Sequence, residues 1–124
     1  MDKRNLTLLT DFYELTMANG YFKNDLKDKI VYFDMFFRKI PDGGGFAIMA
    51  GVEQLIDYLQ NLKFDSQDIE YLRSKNLFSE EFLQYLHNFK FSCDVWAIPE
   101  GTPIFPNEPV IKVRGPAIEA QFIE

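Results

Sequence analysis

Two cationic side chains stand close to a run of three glycines, a combination that suits contact with a phosphate group. Arg38 and Lys39 end an apolar segment, and glycine occupies each of positions 43–45. A guanidinium fork matches phosphate oxygens, and glycine lets backbone N–H groups approach such an anion closely. The spacing is neither that of a P-loop nor that of a dinucleotide fingerprint. A solvated strand end and plain turn chemistry are therefore alternative explanations.

An acidic and an aromatic side chain stand at the start of the first predicted helix, where Asp11 and Tyr13 flank Phe12. The helix dipole favours an acid at this position, and an aromatic ring can either pack or stack on a flat ligand. From spacing alone, capping and packing are the favoured roles of Asp11 and Tyr13.

The chain has one histidine and one cysteine, which limits the catalytic chemistry of its own residues. His87 has no Ser, Cys or carboxylate near it in a triad-like motif, so a solvent-facing or packing role is favoured over catalysis. Cys93 has no partner for a disulfide or a metal cluster, which indicates a structural thiol in a reducing compartment. We therefore assign no catalytic residue and no metal ligand within this sequence.

Composition predicts a single folded domain. Of 124 residues, 47% are hydrophobic and 26% charged, which is enough apolar surface for one core. Thirteen Lys and Arg against nineteen Asp and Glu leave a net charge of -6, which argues against nucleic acid and anionic membranes as partners. The charged start and the short apolar run at 6–9 fit neither a signal peptide nor a membrane span. We expect a cytoplasmic protein.

The elements that position these residues follow from periodicity. Residues 10–22 read as a helix capped by Thr10 or Asp11, with Glu14 as capping-box acid and two apolar faces that must both be covered. One face carries Phe12, Leu15, Ala18 and Phe22, and the other carries Tyr13, Met17 and Tyr21.

The rest of the pattern predicts an α+β fold of helices and an antiparallel β-meander. Strands are predicted at 30–39, 46–50, 91–98 and 110–113. Helices are predicted after Gly51, with Val52, Leu55, Ile56 and Leu59 facing the core, and after the caps Asp65 and Ser79. Residues 117–124 begin an amphipathic helix, so we expect a domain at 1–116 and, at 117–124, the start of the first helix that leads into a further domain. We expect the apolar face of this helix to point outward, where that domain or a partner would cover it.

Six blocks of sequence, in order along nearly the whole chain, resemble the N-terminal region of nicotinate phosphoribosyltransferase. They are LLTDFYELTM at 8–17, FDMFFRK at 33–39, GGGFA at 43–47, DVWAIPEG at 94–101, FPNEP at 105–109 and GPAIEAQ at 115–121. One block alone is a weak signal, whereas six in the same order are a strong one.

The resemblance implies an α/β-hammerhead-like N-terminal domain of the nicotinate/quinolinate phosphoribosyltransferase type, with a catalytic barrel downstream. It implies an enzyme of NAD biosynthesis that joins nicotinate to 5-phosphoribosyl 1-pyrophosphate, giving nicotinate mononucleotide and pyrophosphate. ATP hydrolysis drives the reaction through a phosphorylated histidine, and Mg²⁺ assists the pyrophosphate. That histidine lies beyond residue 124 in the family and His87 matches no such motif, so these residues alone are expected to be inactive.

The resemblance also implies site residues and an assembly. Tyr13 resembles the aromatic that stacks on the pyridine ring of a neighbouring subunit, with Asp11 beside it ordering that edge. Arg38 resembles a phosphate or pyrophosphate ligand offered across the same homodimer. The active sites would then be shared between two subunits.

Two alternatives stay open. An aromatic stack holds nicotinamide as well as nicotinate, so a nicotinamide phosphoribosyltransferase is the nearest alternative. The second alternative applies if the natural chain ends at residue 124. The protein would then be a non-catalytic dimerisation or binding module, because these residues contain no nucleophile or phosphate loop.

Overall fold

A computed structural model describes residues 4–123. The charged start at 1–3 and the last residue of the predicted 117–124 helix lie outside the described residues. The helices are α1 (Phe12–Lys23), α2 (Val52–Asn61), α3 (Ser66–Ser74), α4 (Glu80–His87) and α5 (Ala117–Gln121). The strands are β1 (Ile30–Met35), β2 (Ala47–Ile48), β3 (Asp94–Ala97), β4 (Pro103–Ile104) and β5 (Ile111–Pro116). Over residues 4–123, none of the helices combines the length and the apolar character needed to cross a membrane.

The main sheet has three antiparallel strands in the order β1-β5-β3, and β2 pairs with β4 in a second, two-stranded sheet. Ile30 of β1 lies opposite Pro116, and Asp94 of β3 lies opposite Arg114. The α+β class and the antiparallel pairing are confirmed, but the meander order is wrong. β5 pairs with β1, which lies far away in sequence. The turn residues at 99–101 and 106–109 indicate where the chain reverses, but they do not determine which strand pairs with β5.

Three predicted strands are longer in the sequence pattern than in the structure. The ladder of β1 ends at Met35, β2 keeps only Ala47–Ile48 of 46–50, and β3 keeps only Asp94–Ala97 of 91–98. Apolar alternation marks which side chains can face a core, whereas strand length also needs a hydrogen-bonding partner.

The core has two parts that meet at α5. One cluster lies among α1, α3, α4 and α5, and the other lies under the main sheet. Ile118 belongs to the first cluster and Ala120 to the second, and both are fully buried. The expectation that this helix presents an apolar face outward is therefore wrong, because α5 is sandwiched inside the core. The boundary between 116 and 117 stays a prediction.

Two helix caps predicted from sequence are confirmed. The Asp65 carboxylate accepts hydrogen bonds from the N–H groups of Gln67 and Asp68, and Asp68 accepts one from the Asp65 N–H in return. The Ser79 hydroxyl accepts from the Phe82 N–H at 3.3 Å. These interactions satisfy N–H groups that lack a helical partner.

The start of α1 differs from its prediction. Asp11 is the N-cap residue, but its side chain makes no capping hydrogen bond, and its carbonyl oxygen accepts from the Glu14 N–H at 3.1 Å. Glu14 is buried instead of reaching back to close a capping box. Phe12, predicted to face the core, is 42% exposed, and its ring makes a T-shaped contact with the ring of Phe78.

Helix α2 covers the edge of the domain. None of its residues is fully buried, and Ile56, predicted to face the core, is 50% exposed. Val52 and Leu55 pack against the cluster under the sheet. The start of α2 is capped from a distant turn, since the Glu100 carboxylate accepts hydrogen bonds from the N–H groups of Gly51 and Val52.

Candidate functional site

The first turn of α1 presents an exposed aromatic and apolar strip. Tyr13 is 49% exposed and stands one helical turn before Met17, which is also exposed. Residues four apart lie on one helical face, so these side chains form a continuous surface. This confirms that Tyr13 points away from the core side of α1, which Leu15 and Ala18 occupy.

A cleft of about 460 Å³ lies beside this strip. It is lined by Leu8, Leu9, Thr10, Asp11, Glu14, Tyr58, Phe122 and Ile123. Burial raises the pKa of Tyr58, and the charge of Glu14 raises it further, so this hydroxyl stays protonated and able to donate. In the described part of the chain the Thr10 hydroxyl oxygen is buried with no hydrogen-bond partner.

Sequence reasoning missed Glu14 and Tyr58 as lining residues. Tyr58 lies on α2 and meets Glu14 of α1 only after the two helices have packed. Glu14 was predicted to be a capping acid at the start of the helix, whereas its side chain is buried. The cleft can hold a group that exchanges hydrogen bonds with hydroxyl and carboxylate oxygens.

Arg38 lies on the extended segment that follows β1. Its guanidinium carbon stands 5.5 Å from the centre of the Phe36 ring, within the range of a cation–π contact. The backbone just before Arg38 is held at two points, since the Met35 carbonyl accepts from the Val110 N–H and the Phe37 carbonyl from the Asn107 N–H, each at 2.8 Å. Arg38 thus sits on an anchored segment with its side chain exposed.

The glycines after Arg38 form a tight turn. Pro41–Gly43 is a single 3-10 turn, Gly43 has φ +67°, and the Gly44 N–H donates to the Pro41 carbonyl at 3.3 Å. A Cβ at Gly44 would stand 2.9 Å from Ile40, which explains a glycine there. These facts support the turn explanation of the glycines.

Of the three predicted site residues, which all lie in the described part of the chain, Asp11 alone lines the cleft beside α1. Asp11 and Tyr13 share the start of α1, and Asp11 lines the cleft there. Arg38 belongs to a different segment and does not line that cleft. Their proposed roles, across a subunit boundary, therefore stay predictions.

The outer face of the main sheet carries a second polar and aromatic surface. Arg114 donates to the Tyr32 hydroxyl at 3.1 Å and to Asp94 at 3.2 Å, and Lys112 forms an ion pair with Asp34 at 3.0 Å. The hydrogen bond with Tyr32 is the main cause that raises the pKa of Arg114. Trp96 is 53% exposed next to a concavity of about 890 Å³. The cross-strand partners of Tyr32 and Asp34 could not be predicted from sequence, because they depend on the register of the strands.

The surroundings of the single histidine and the single cysteine give neither of them a catalytic role. His87 is exposed in the last turn of α4. Burial, followed by the charge of Glu119, raises the pKa of the Cys93 thiol to about 12, so the thiolate nucleophile does not form near neutral pH. Across residues 4–123, the side chains of His, Cys, Asp and Glu form no group of three or more that could hold a metal ion.

Comparison with known proteins finds the same similarity along the chain. The family model described as the nicotinate phosphoribosyltransferase (NAPRTase) N-terminal domain matches residues 8–124. A nicotinate phosphoribosyltransferase of Mycobacterium tuberculosis is 46% identical over 117 residues, 94% of this chain and 25% of that protein. The Bacillus subtilis nicotinate phosphoribosyltransferase is 38% identical over 120 residues, 97% of this chain and 24% of that protein. The chain thus spans about a quarter of these relatives.

Solved structures agree with the sequence comparison. The crystal structure of human nicotinic acid phosphoribosyltransferase superposes with a TM-score of 0.83 at 32% identity, over 92% of this chain and 23% of that one. A nicotinate-nucleotide pyrophosphorylase from Pyrococcus furiosus superposes with a TM-score of 0.61 at 20% identity, which shows a shared fold. This chain therefore belongs to the nicotinate phosphoribosyltransferase family, in which it corresponds to the N-terminal domain.

Proposed function

We propose that this chain is the substrate-contributing N-terminal part of an enzyme that joins nicotinate to 5-phosphoribosyl 1-pyrophosphate. The products would be nicotinate mononucleotide and pyrophosphate. The observation that carries the proposal is the similarity of 94% of the chain to proteins named nicotinate phosphoribosyltransferase. Because the chain spans a quarter of those relatives, the complete reaction requires a longer polypeptide.

Tyr13 supplies a flat surface for the pyridine ring. Its ring is half-exposed on the first turn of α1, and an aromatic ring stacks well on a planar heteroaromatic. The ring points away from the core of its own chain. The resemblance to the family implies that its ligand lies in the active site of a second subunit of a homodimer. Asp11, at the N-cap, orders the edge of this contact.

Arg38 supplies charge to the phosphate groups of the donor. The guanidinium is exposed on a segment whose backbone is held by two hydrogen bonds of 2.8 Å. A charged fork on a fixed backbone binds phosphate oxygens with defined geometry. Arg38 therefore acts on the phosphoribosyl donor, and Tyr13 acts on the base.

The wider setting belongs to the same proposal. It is a cytoplasmic reaction of NAD biosynthesis, with transfer of a glycosyl group coupled to ATP hydrolysis as in a ligase. Mg²⁺ and ATP belong to the full enzyme in this proposal, and we assign them to no residue of this chain.

The product of the full-length polypeptide tests the proposal. Purified enzyme is incubated with 5-phosphoribosyl 1-pyrophosphate and ATP, with either nicotinate or nicotinamide, and mononucleotides are separated by chromatography. We expect nicotinate mononucleotide at a far higher rate than nicotinamide mononucleotide. The reverse preference would identify the nicotinamide enzyme, and the absence of both products would favour a non-catalytic module.

A further inference from the structure

The turn that holds the Arg38 segment contains an unusual backbone conformation. Asn107 has φ +62°, in the left-handed region that most side chains avoid. In this conformation its N–H donates to the Phe37 carbonyl at 2.8 Å. Pro106 and Pro109 stand on either side and restrict the turn further. The turn therefore presents one N–H group to one carbonyl with little freedom.

That hydrogen bond acts on the peptide group that begins Arg38. The Phe37 carbonyl and the Arg38 N–H belong to one planar peptide unit, so fixing the oxygen fixes the plane from which the Arg38 side chain departs. A second bond, from the Val110 N–H to the Met35 carbonyl, holds the chain two residues earlier at 2.8 Å. The Phe36 ring, between these anchors, lies 5.5 Å from the guanidinium.

We propose that Asn107 is a positioning residue for Arg38, acting through its backbone N–H and its left-handed conformation. The inference rests on the proposed function, in which Arg38 contacts the phosphates of the donor. Asparagine is among the few residues other than glycine that adopt positive φ readily, and glycine would keep both the conformation and the N–H. A β-branched residue would resist this conformation and move the N–H away from Phe37.

The test measures steady-state kinetics of the full-length enzyme with Asn107→Val, Asn107→Ala and Asn107→Gly. We expect Asn107→Val to raise the KM for the phosphoribosyl donor roughly tenfold, because a small displacement of a binding group is costly. The KM for nicotinate should stay within about twofold, since Tyr13 is untouched. Asn107→Ala should show a smaller rise of the same kind, and Asn107→Gly should rescue the donor KM to within about twofold of wild type.

Asn76 provides a matched control. It also has positive φ, at +56°, in the turn after α3, and its N–H also donates to a backbone carbonyl, that of Arg73. Asn76→Val should lower the melting temperature as Asn107→Val does, with no change in the donor KM. A purely structural role for Asn107 predicts the same kinetics for both valine variants.

A double variant separates this inference from the proposed function. If Asn107 acts through Arg38, Asn107→Val should raise the donor KM by less than about twofold in an Arg38→Ala background. A full rise in that background would overturn the inference, as would an unchanged donor KM in both Asn107→Val and Asn107→Ala when Arg38→Ala raises it. An unchanged donor KM in Arg38→Ala itself would instead refute the proposed role of Arg38.

Discussion

At the scale of single residues, exposure separates the residues that we propose to contact a ligand from those that build the core. A fully packed aromatic side chain buries a large apolar area. Tyr13 is half-exposed, so the apolar area that its ring could still bury is available to another surface. Arg38 likewise leaves its guanidinium in solvent while its backbone is held firmly. Both side chains therefore keep surface that a ligand or a partner can contact.

The sequence predicted Tyr13 better than its neighbours. Its position one residue off the apolar stripe of Phe12 and Leu15 placed it away from the core side of α1, as observed. The prediction that Phe12 faces the core was wrong, because the first turn of α1 extends past the core that the later turns contact. Tyr58 could not be predicted as a lining residue, since helical periodicity does not say which helix lies beside α1.

Replacing Arg38 with alanine should damage use of the phosphoribosyl donor. Loss of a charge-assisted hydrogen bond costs roughly 1.5 to 3 kcal/mol, which corresponds to a rise of roughly ten- to a hundredfold in the donor KM. Steady-state kinetics with each substrate varied in turn measures this effect. Lys39→Ala, which removes the adjacent charge, serves as the control, and equal effects of the two variants would contradict a specific role of Arg38.

At the scale of elements, local chemistry predicted helix starts and failed for strand partners. The caps at Asp65 and Ser79 are correct because capping depends on residues within one turn. The partner of β5 depends on a strand that lies 80 residues earlier, and nothing in the pattern of 110–113 specifies it. The burial of α5 also depends on the two clusters it joins, which no local pattern reveals.

The carboxylate cap of α3 should stabilise the fold at neutral pH and lose this effect in acid. The N–H of Asp68, and then the Asn5 side chain, hold the pKa of the Asp65 carboxyl below its usual value of 3.8. A lowered folded-state pKa stabilises the fold above the unfolded-state value, and this contribution is lost as pH falls through the folded-state pKa. Melting temperatures of Asp65→Ala and wild type should therefore differ most above about pH 5 and converge in acid.

An uncharged cap provides the comparison for this prediction. Ser79→Ala removes the hydrogen bond to the Phe82 N–H without removing a charge. Its effect on the melting temperature should be similar across the same pH range. If the melting-temperature difference between Asp65→Ala and wild type is equally independent of pH, the charge of the Asp65 carboxylate does not stabilise the fold.

The close approach of β5 to Cys93 should make Gly115 intolerant of any side chain. A Cβ at Gly115 would overlap the Cys93 sulfur and stand 2.8 Å from its Cβ. We expect Gly115→Ala to lower the free energy of unfolding by about 1 to 3 kcal/mol, as overpacking does. Urea denaturation followed by circular dichroism measures this loss.

Gly20 is the control, because nothing lies within 4 Å of a Cβ placed there in α1. Gly20→Ala should raise the free energy of unfolding by about 0.5 to 1 kcal/mol, since alanine is the better helix former. Adding Cys93→Ala to Gly115→Ala should recover part of the loss by removing the overlapping sulfur. Equal stability of the two single glycine variants would refute the close contact.

At the scale of the whole molecule, the domain leaves aromatic surface uncovered on two sides. Tyr13 and Phe12 stand on α1, and Tyr32 and Trp96 stand on the outer face of the main sheet. Thirteen Phe and six Tyr are more aromatic surface than a domain of this size can bury on its own, so we expect part of it to lie in an interface. The expectation that 117–124 would contribute is wrong, since Ile118 is buried.

The isolated 124 residues should therefore associate and lack transferase activity. Exposed apolar patches favour association, and the domain contributes no nucleophile of its own. Light scattering on the purified domain measures the first property, and a nicotinate mononucleotide assay measures the second. A monodisperse monomer would contradict the association, and any product formation would contradict the division of labour proposed above.

The central claim is that this domain lends Tyr13 to the nicotinate site of a neighbouring subunit. Mixing full-length Tyr13→Ala with a second variant, inactivated by a substitution in its catalytic domain, tests it most directly. We predict that the mixture regains roughly a quarter of wild-type activity, because half of the dimers then carry one intact site. Tyr13→Phe, which keeps the ring, should retain most of its activity unmixed. No recovery, despite demonstrated exchange of subunits, would contradict the claim and place the role of Tyr13 within its own chain.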